Sequence, residues 1–76
     1  MKIIIVDDDC LVTTALKTIL EVNDEVQVQA IGMDGRDAVR LYEECRPDVL
    51  LMDIRMKNMN GLKASAEILG NYPEAN

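Results

Sequence analysis

Apolar residues in this chain fall into short unbroken blocks separated by stretches of helical period. Ile3-Ile4-Ile5-Val6 and Val49-Leu50-Leu51-Met52 are runs of this kind. Such runs, with no alternation, predict strands covered on both faces, as in a parallel sheet with helices above and below. The first strand spans Lys2–Val6 and the last Val49–Met52, bracketed by Pro47-Asp48 and Asp53. Between them, Val26-Gln27-Val28-Gln29-Ala30 alternates, which suits an edge strand with one covered face. Leu11–Val22 carries Val12, Ala15, Leu16, Ile19 and Leu20 at helical spacing, and Asp9 is placed to cap its start. Asn23-Asp24 and Gly32-Met33-Asp34-Gly35 are turn chemistry. Arg36–Cys45, with Ala38, Val39, Leu41 and Tyr42, predicts a second amphipathic helix that must stop before Pro47. Leu62–Leu69 reads as a third helix closed by Gly70. Residues 71–76 read as an irregular connection. Three βα units in succession imply parallel strands joined by right-handed crossovers, an α/β fold.

Composition narrows the function classes. Seventy-six residues allow one small domain, close to the size at which a core is barely large enough. The net charge is −6 with Lys and Arg scattered, which argues against nucleic-acid or membrane-surface binding by this segment. No apolar run approaches membrane-span length, and Met1-Lys2 leads straight into a strand without a signal-peptide profile. Cys10 and Cys45 are too few and too far apart for a disulfide framework or a zinc site. A reducing, cytoplasmic location with free thiols follows, Cys10 being read as a small semi-buried thiol.

The candidate chemistry is acidic. Asp7-Asp8-Asp9 follows the first strand and Asp53 ends the last, and ligands of open α/β sheets bind outside the carboxyl ends of strands. Either group alone reads better as a solvated turn and helix cap, or as an ordinary loop acid. Both at the ends of buried strands favour a site. If those strands are neighbours, Asp7, Asp8 and Asp53 converge, and their repulsion calls for a proton or a cation. Mg²⁺ suits one or two carboxylates completed by water and phosphate oxygens. Such a site can also make one carboxylate a nucleophile toward phosphorus. Met52, Met56 and Met59 read as core and loop packing. Gly32 and Gly35 form no dinucleotide fingerprint, because GxGxxG should follow the first strand.

IIIVDDD, GMDGRDAV and PDVLLMDIRM followed by NG, in this order and at these intervals, resemble the receiver domain of bacterial two-component response regulators over essentially the whole chain. The resemblance implies a flavodoxin-like sheet of order 2-1-3-4-5, with Mg²⁺ held by Asp7 and Asp8, phosphorylation on Asp53 and the Arg55 backbone carbonyl as a further metal ligand. It implies a sensor histidine kinase as phosphoryl donor. The Gly61-Leu62 helix start and the Tyr72-Pro73-Glu74-Ala75 segment look most like NarL/LuxR-type regulators, which contact DNA through a helix-turn-helix output domain absent from this sequence. Lys57 stands where the family usually has Pro, freeing a backbone donor, and Asn60 where Asp is common. The family's fourth and fifth βα units, with their Thr/Ser and Lys, are also absent, so residues 1–76 read as the N-terminal part of a receiver.

Two functions are therefore expected. One is a phosphoacceptor, not itself an enzyme, in which Asp53 takes a phosphoryl group with Mg²⁺ assistance. The other is a non-signalling fragment or interaction module. In either case an order of 2-1-3 would make Val49–Met52 an edge without proline or charge to deter pairing, so self-association through the third strand is expected. Other Mg²⁺-dependent aspartyl phosphotransferases carry DxD around the nucleophile, a spacing that Asp53 lacks.

Overall fold

The computed structural model describes residues 1–53 and 60–76. In chain order the elements are β1 (Lys2–Val6), α1 (Cys10–Leu20), β2 (Gln27–Gly32), α2 (Gly35–Cys45), β3 (Val49–Met52) and α3 (Gly61–Asn71). The described strands form one parallel sheet of order β2-β1-β3. The expectation of an α/β fold with parallel strands therefore holds.

Central position decides which apolar run is fully covered. Ile3, Ile4, Ile5 and Val6 in β1 are each at most 4% exposed. Each such side chain contributes roughly 1.5–3 kcal/mol by leaving water. Val49–Met52 was expected to be buried on both faces, yet it is only half-buried, and Leu51 is 37% exposed. The physical reason is its place at the edge of the described sheet, where one flank has no neighbouring strand among the described residues. The two runs are almost alike in composition, so neighbours rather than sequence separate them.

Successive β1 side chains point to opposite faces. Ile4 and Val6 join Ala38, Leu41, Tyr42, Ala64 and Ile68 in one buried cluster beneath α2 and α3. Ile5 lies on the other face, beside Leu16 of α1 and Leu51 of β3. Only part of the apolar arc of α1 is covered there. Thr13 is buried and Leu16 and Leu20 are half-buried, whereas Ile19 is 67% exposed and Leu11 81% exposed; Val22, expected in the helix, lies beyond its C-cap Glu21 and is exposed.

β2 keeps the expected alternation, with Gln27, Gln29 and Ile31 exposed and Val28 and Ala30 half-buried, but its register is irregular. Ile3 pairs with Val28 but Ile4 pairs with Ala30, so the register slips by one residue at Gln29. A bulge of this kind puts Val28 and Ala30 opposite β1 residues of opposite faces. The reading of this segment as an edge strand with one covered face nevertheless holds. The strand also runs on to Gly32, which was expected in the following turn. Glycine is required there by close approach. A Cβ on Gly32 would lie 2.8 Å from Asp37 Cβ and 3.2 Å from Leu41 Cδ1.

Helix ends follow local chemistry. Asp9 caps α1 by accepting the Leu11 N–H at 2.9 Å. Asp34 accepts the Asp37 N–H, and Asp37 in turn accepts the Met33 N–H, both at 2.9 Å. The first satisfies a donor that the first turn of α2 leaves without a helical partner, and the second ties the residue before the cap to that turn. Arg46 ends α2 in a left-handed conformation with φ 46°, directly before Pro47. α3 continues through Gly70, with Tyr72 as its C-cap. Gly70 was expected to close the helix, but it has no positive φ and sits inside the last turn. Residues after Tyr72 do not simply lead away. The Asn76 carbonyl accepts the Leu50 N–H of β3 at 2.9 Å.

Candidate functional site

The site begins with strand register. Val6 of β1 sits opposite Met52 of β3, and its carbonyl accepts the Asp53 N–H at 3.0 Å. On the other flank the Asp7 N–H donates to the Gly32 carbonyl at 3.1 Å. The ladder thus continues one residue past each strand end, and it sets Asp7 and Asp53 side by side at the carboxyl edge of the sheet. Both are half-buried, and Asp8 beside them is exposed.

Asp7, Asp8 and Asp53 each offer one carboxylate oxygen, and these oxygens lie within 4.8 Å of one another. Opposite ligands on an octahedral Mg²⁺ stand roughly 4.2 Å apart, so small side-chain rotations bring this set to metal-binding distance. All three donors are hard oxygens, the type that Mg²⁺ takes in preference to nitrogen or sulfur. Asp7 is oriented by its own turn, since its Oδ1 accepts the Asp9 N–H at 2.9 Å. Asp9 faces a different task. Its carboxylate is engaged at the start of α1, which separates it from the neighbouring acids.

One wall of the site is apolar. Ile5, Val6, Leu16, Leu51 and Met52 line an open hollow that ends at Asp7 and Asp53. Low-dielectric walls strengthen charge–charge interactions in the adjoining space. Carboxylates held together against such a wall favour a bound cation.

A family model described as the response regulator receiver domain matches residues 3–76. The chain belongs to the response regulator receiver domain family. Among curated relatives of this receiver, the transcriptional regulatory protein DegU of Brevibacillus brevis is 42% identical over 74 residues, covering 97% of this chain and 31% of that protein. Among solved structures, a LuxR-family two-component response regulator from Aurantimonas sp. SI85-9A1 has a TM-score of 0.94 at 29% identity, covering 99% of this chain and 54% of the other. The CheX–CheY–BeF3–Mg²⁺ complex from Borrelia burgdorferi matches at a TM-score of 0.89 and 25% identity, covering 99% of this chain and 57% of the other. The receiver chain therefore spans about a third of the DegU relative and just over half of the two solved chains. Its flavodoxin-like architecture and its likeness to NarL/LuxR-type regulators agree with the sequence reading.

The receiver brings together the three acids expected from sequence. Arg55, expected to lend its carbonyl, lies outside the described residues, as do Met56, Lys57 and Met59. Cys10 is exposed rather than semi-buried, standing at the first position of α1, where no preceding turn covers it. Sequence reasoning passed over Asp48, although its place before β3 was noted. Its carboxylate accepts the Lys2 N–H at 2.7 Å and holds the far end of the β1–β3 pair. An acid directly after Pro47 and before an apolar run was the available signal.

Proposed function

We propose that this chain is the phosphoacceptor portion of a response regulator, with Asp53 accepting a phosphoryl group from a sensor histidine kinase. The observation that carries this reading is the convergence of Asp7, Asp8 and Asp53 at the ends of two adjacent strands. In the proposed transfer a carboxylate oxygen of Asp53 forms the new P–O bond as the P–N bond of a phosphohistidine breaks. The departing imidazole nitrogen takes up a proton. Asp7, Asp8, Asp53 and the Arg55 carbonyl would hold Mg²⁺, which when bound neutralises phosphoryl charge. Asp7 is kept in place by the Asp9 N–H, and Asp53 by the Val6 carbonyl.

On this reading the chain is a substrate of phosphotransfer rather than an enzyme. The parent protein is a cytoplasmic transcriptional regulator that meets DNA only through an output domain outside this sequence. The likeness to DegU and to a LuxR-family regulator supports that assignment. Among the described residues no helix is long and apolar enough to cross a membrane.

The test is a titration of the chain with MgCl₂, followed by backbone NMR. Resonances of Asp8 and Asp53 should shift together at millimolar metal, and beryllofluoride should shift Asp53 further only when Mg²⁺ is present. Resonances that ignore both additions would sink the reading.

A second reading has its own support. The outer flank of β3 is a sheet edge whose sequence carries no charge or proline within the run, and Leu51 beside it is exposed. We infer that β3 is also the surface through which the chain self-associates, whether or not it signals. Light scattering after size exclusion should give the mass of two chains, and a single-chain mass at every concentration would refute it.

A further inference from the structure

One peptide group lies between α2 and the acids at the end of β1. The Gly32 carbonyl accepts the Asp7 N–H at 3.1 Å. The Met33 N–H of the same peptide unit donates to Asp37 Oδ2 at 2.9 Å. The two bonds run head to tail through a planar amide, so the setting of that plane decides both. A carboxylate on the N–H also polarises the amide and strengthens the bond that its oxygen accepts.

Asp37 is itself held in place. It stands in the first turn of α2, and its N–H donates to Asp34 Oδ1 at 2.9 Å. Gly32 comes so close that a Cβ there would stand 2.8 Å from Asp37 Cβ. That approach lets a side chain as short as aspartate reach the next N–H. The other oxygen, Oδ1, takes the exposed Arg40 guanidinium at 3.4 Å and leaves Oδ2 to Met33.

We propose that Asp37 is a positioning residue for the acid site. Through the Gly32–Met33 peptide it fixes the backbone of Asp7, and with it the carboxylate that Asp7 offers to a metal. This rests on the reading that Asp7, Asp8 and Asp53 hold Mg²⁺. Asp7 is tied by this bond on the β2 flank and by its own carboxylate to the Asp9 N–H. Asp53 is tied on the opposite flank of β1, to the Val6 carbonyl. Loss of the Asp37 bond should therefore loosen Asp7 and spare Asp53.

The experiment measures amide hydrogen exchange at Asp7 and Asp53 in metal-free protein, and Mg²⁺ affinity by calorimetric titration. Wild type, Asp37→Ala, Asp37→Ser, Asp37→Asn and Arg40→Ala are compared. Asp37→Ala keeps the Cβ that faces Gly32 and removes the carboxylate. Exchange at Asp7 should rise about tenfold and Mg²⁺ should bind about tenfold more weakly, the low end for a partner outside the ligands themselves. Asp37→Ser is too short to reach the Met33 N–H and should behave alike, so the link is tested even if Asp37→Ala does not fold. Asp37→Asn retains an oxygen for that N–H and should recover most of both. Arg40→Ala leaves Oδ2 on Met33 and should match wild type. Exchange at Asp53 should be the same in all five, which separates a local effect from general loosening. Unchanged exchange at Asp7 in the alanine and serine variants overturns the link. Faster exchange there with unchanged Mg²⁺ affinity overturns its role at the site. Wild type that binds no Mg²⁺ overturns the metal reading and that role with it, while exchange at Asp7, read without metal, still reports the link.

Discussion

Lys2 and Asp48 exchange two hydrogen bonds across the β1–β3 pair. The Lys2 N–H donates to Asp48 Oδ2 at 2.7 Å, and the Asp48 N–H donates to the Lys2 carbonyl at 2.8 Å. This pairing pins the start of the two strands, and the same register delivers Asp53 beside Asp7 at the far end. Asp48→Ala should therefore cost about 1 kcal/mol of stability, since the lost bond is an exposed one. Asp48→Asn keeps an acceptor oxygen and should cost less. Urea unfolding at pH 7 measures both, and equal losses would show that the carboxylate charge, not its acceptor geometry, holds the strands.

Mg²⁺ affinity should depend on which acid is changed. Asp8→Asn or Asp53→Asn removes a charged oxygen ligand and should weaken binding by roughly tenfold or more. Asp9→Asn should leave it nearly unchanged, because Asp9 caps α1 and asparagine caps equally well. Isothermal titration separates these outcomes. A large loss in Asp9→Asn alone would mean that the acids have been assigned wrongly.

Phosphorylation of the 76-residue chain by acetyl phosphate should be slow. The family resemblance places the Lys and Thr/Ser that contact phosphoryl oxygens outside this sequence, and removing one preorganised donor costs about 10²–10³ in rate. Mass spectrometry would report one added phosphoryl group on Asp53. Rapid stoichiometric labelling would show that the three acids suffice.

Gly32→Ala should destabilise the fold by about 1–3 kcal/mol through overpacking. The new methyl meets Asp37 Cβ at 2.8 Å, an atom fixed to the α2 backbone. Relief by shifting α2 would also pull Asp37 from the Met33 N–H. A lowered urea midpoint with unchanged slope is the expected result.

Gly70→Ala should do the opposite. The residue lies inside α3 without a positive φ, and nothing stands within 4 Å of the added Cβ. Alanine in a helix interior is favoured over glycine by roughly 0.5–1 kcal/mol. A raised thermal midpoint is expected, and a lowered one would place Gly70 outside the helix.

By itself the sequence determined the element order, the parallel α/β class, the Asp9 cap and the identity of the three acids. These are short-range matters: an unbroken apolar run, a helical period and an aspartate two residues before a helical N–H are all legible within a dozen positions. The tertiary structure decided how fully each of two similar apolar runs, whose order 2-1-3 the family resemblance implied, is covered, since Ile3–Val6 and Val49–Met52 differ in their neighbours rather than in their chemistry. It also decided that Gly70 stays helical, that Gly32 ends a strand against Asp37, and that Asn76 returns to Leu50. Each depends on an approach between residues distant in sequence or on a backbone torsion. Local propensity is silent on both, because the energy that selects them comes from strands and helices meeting across the core.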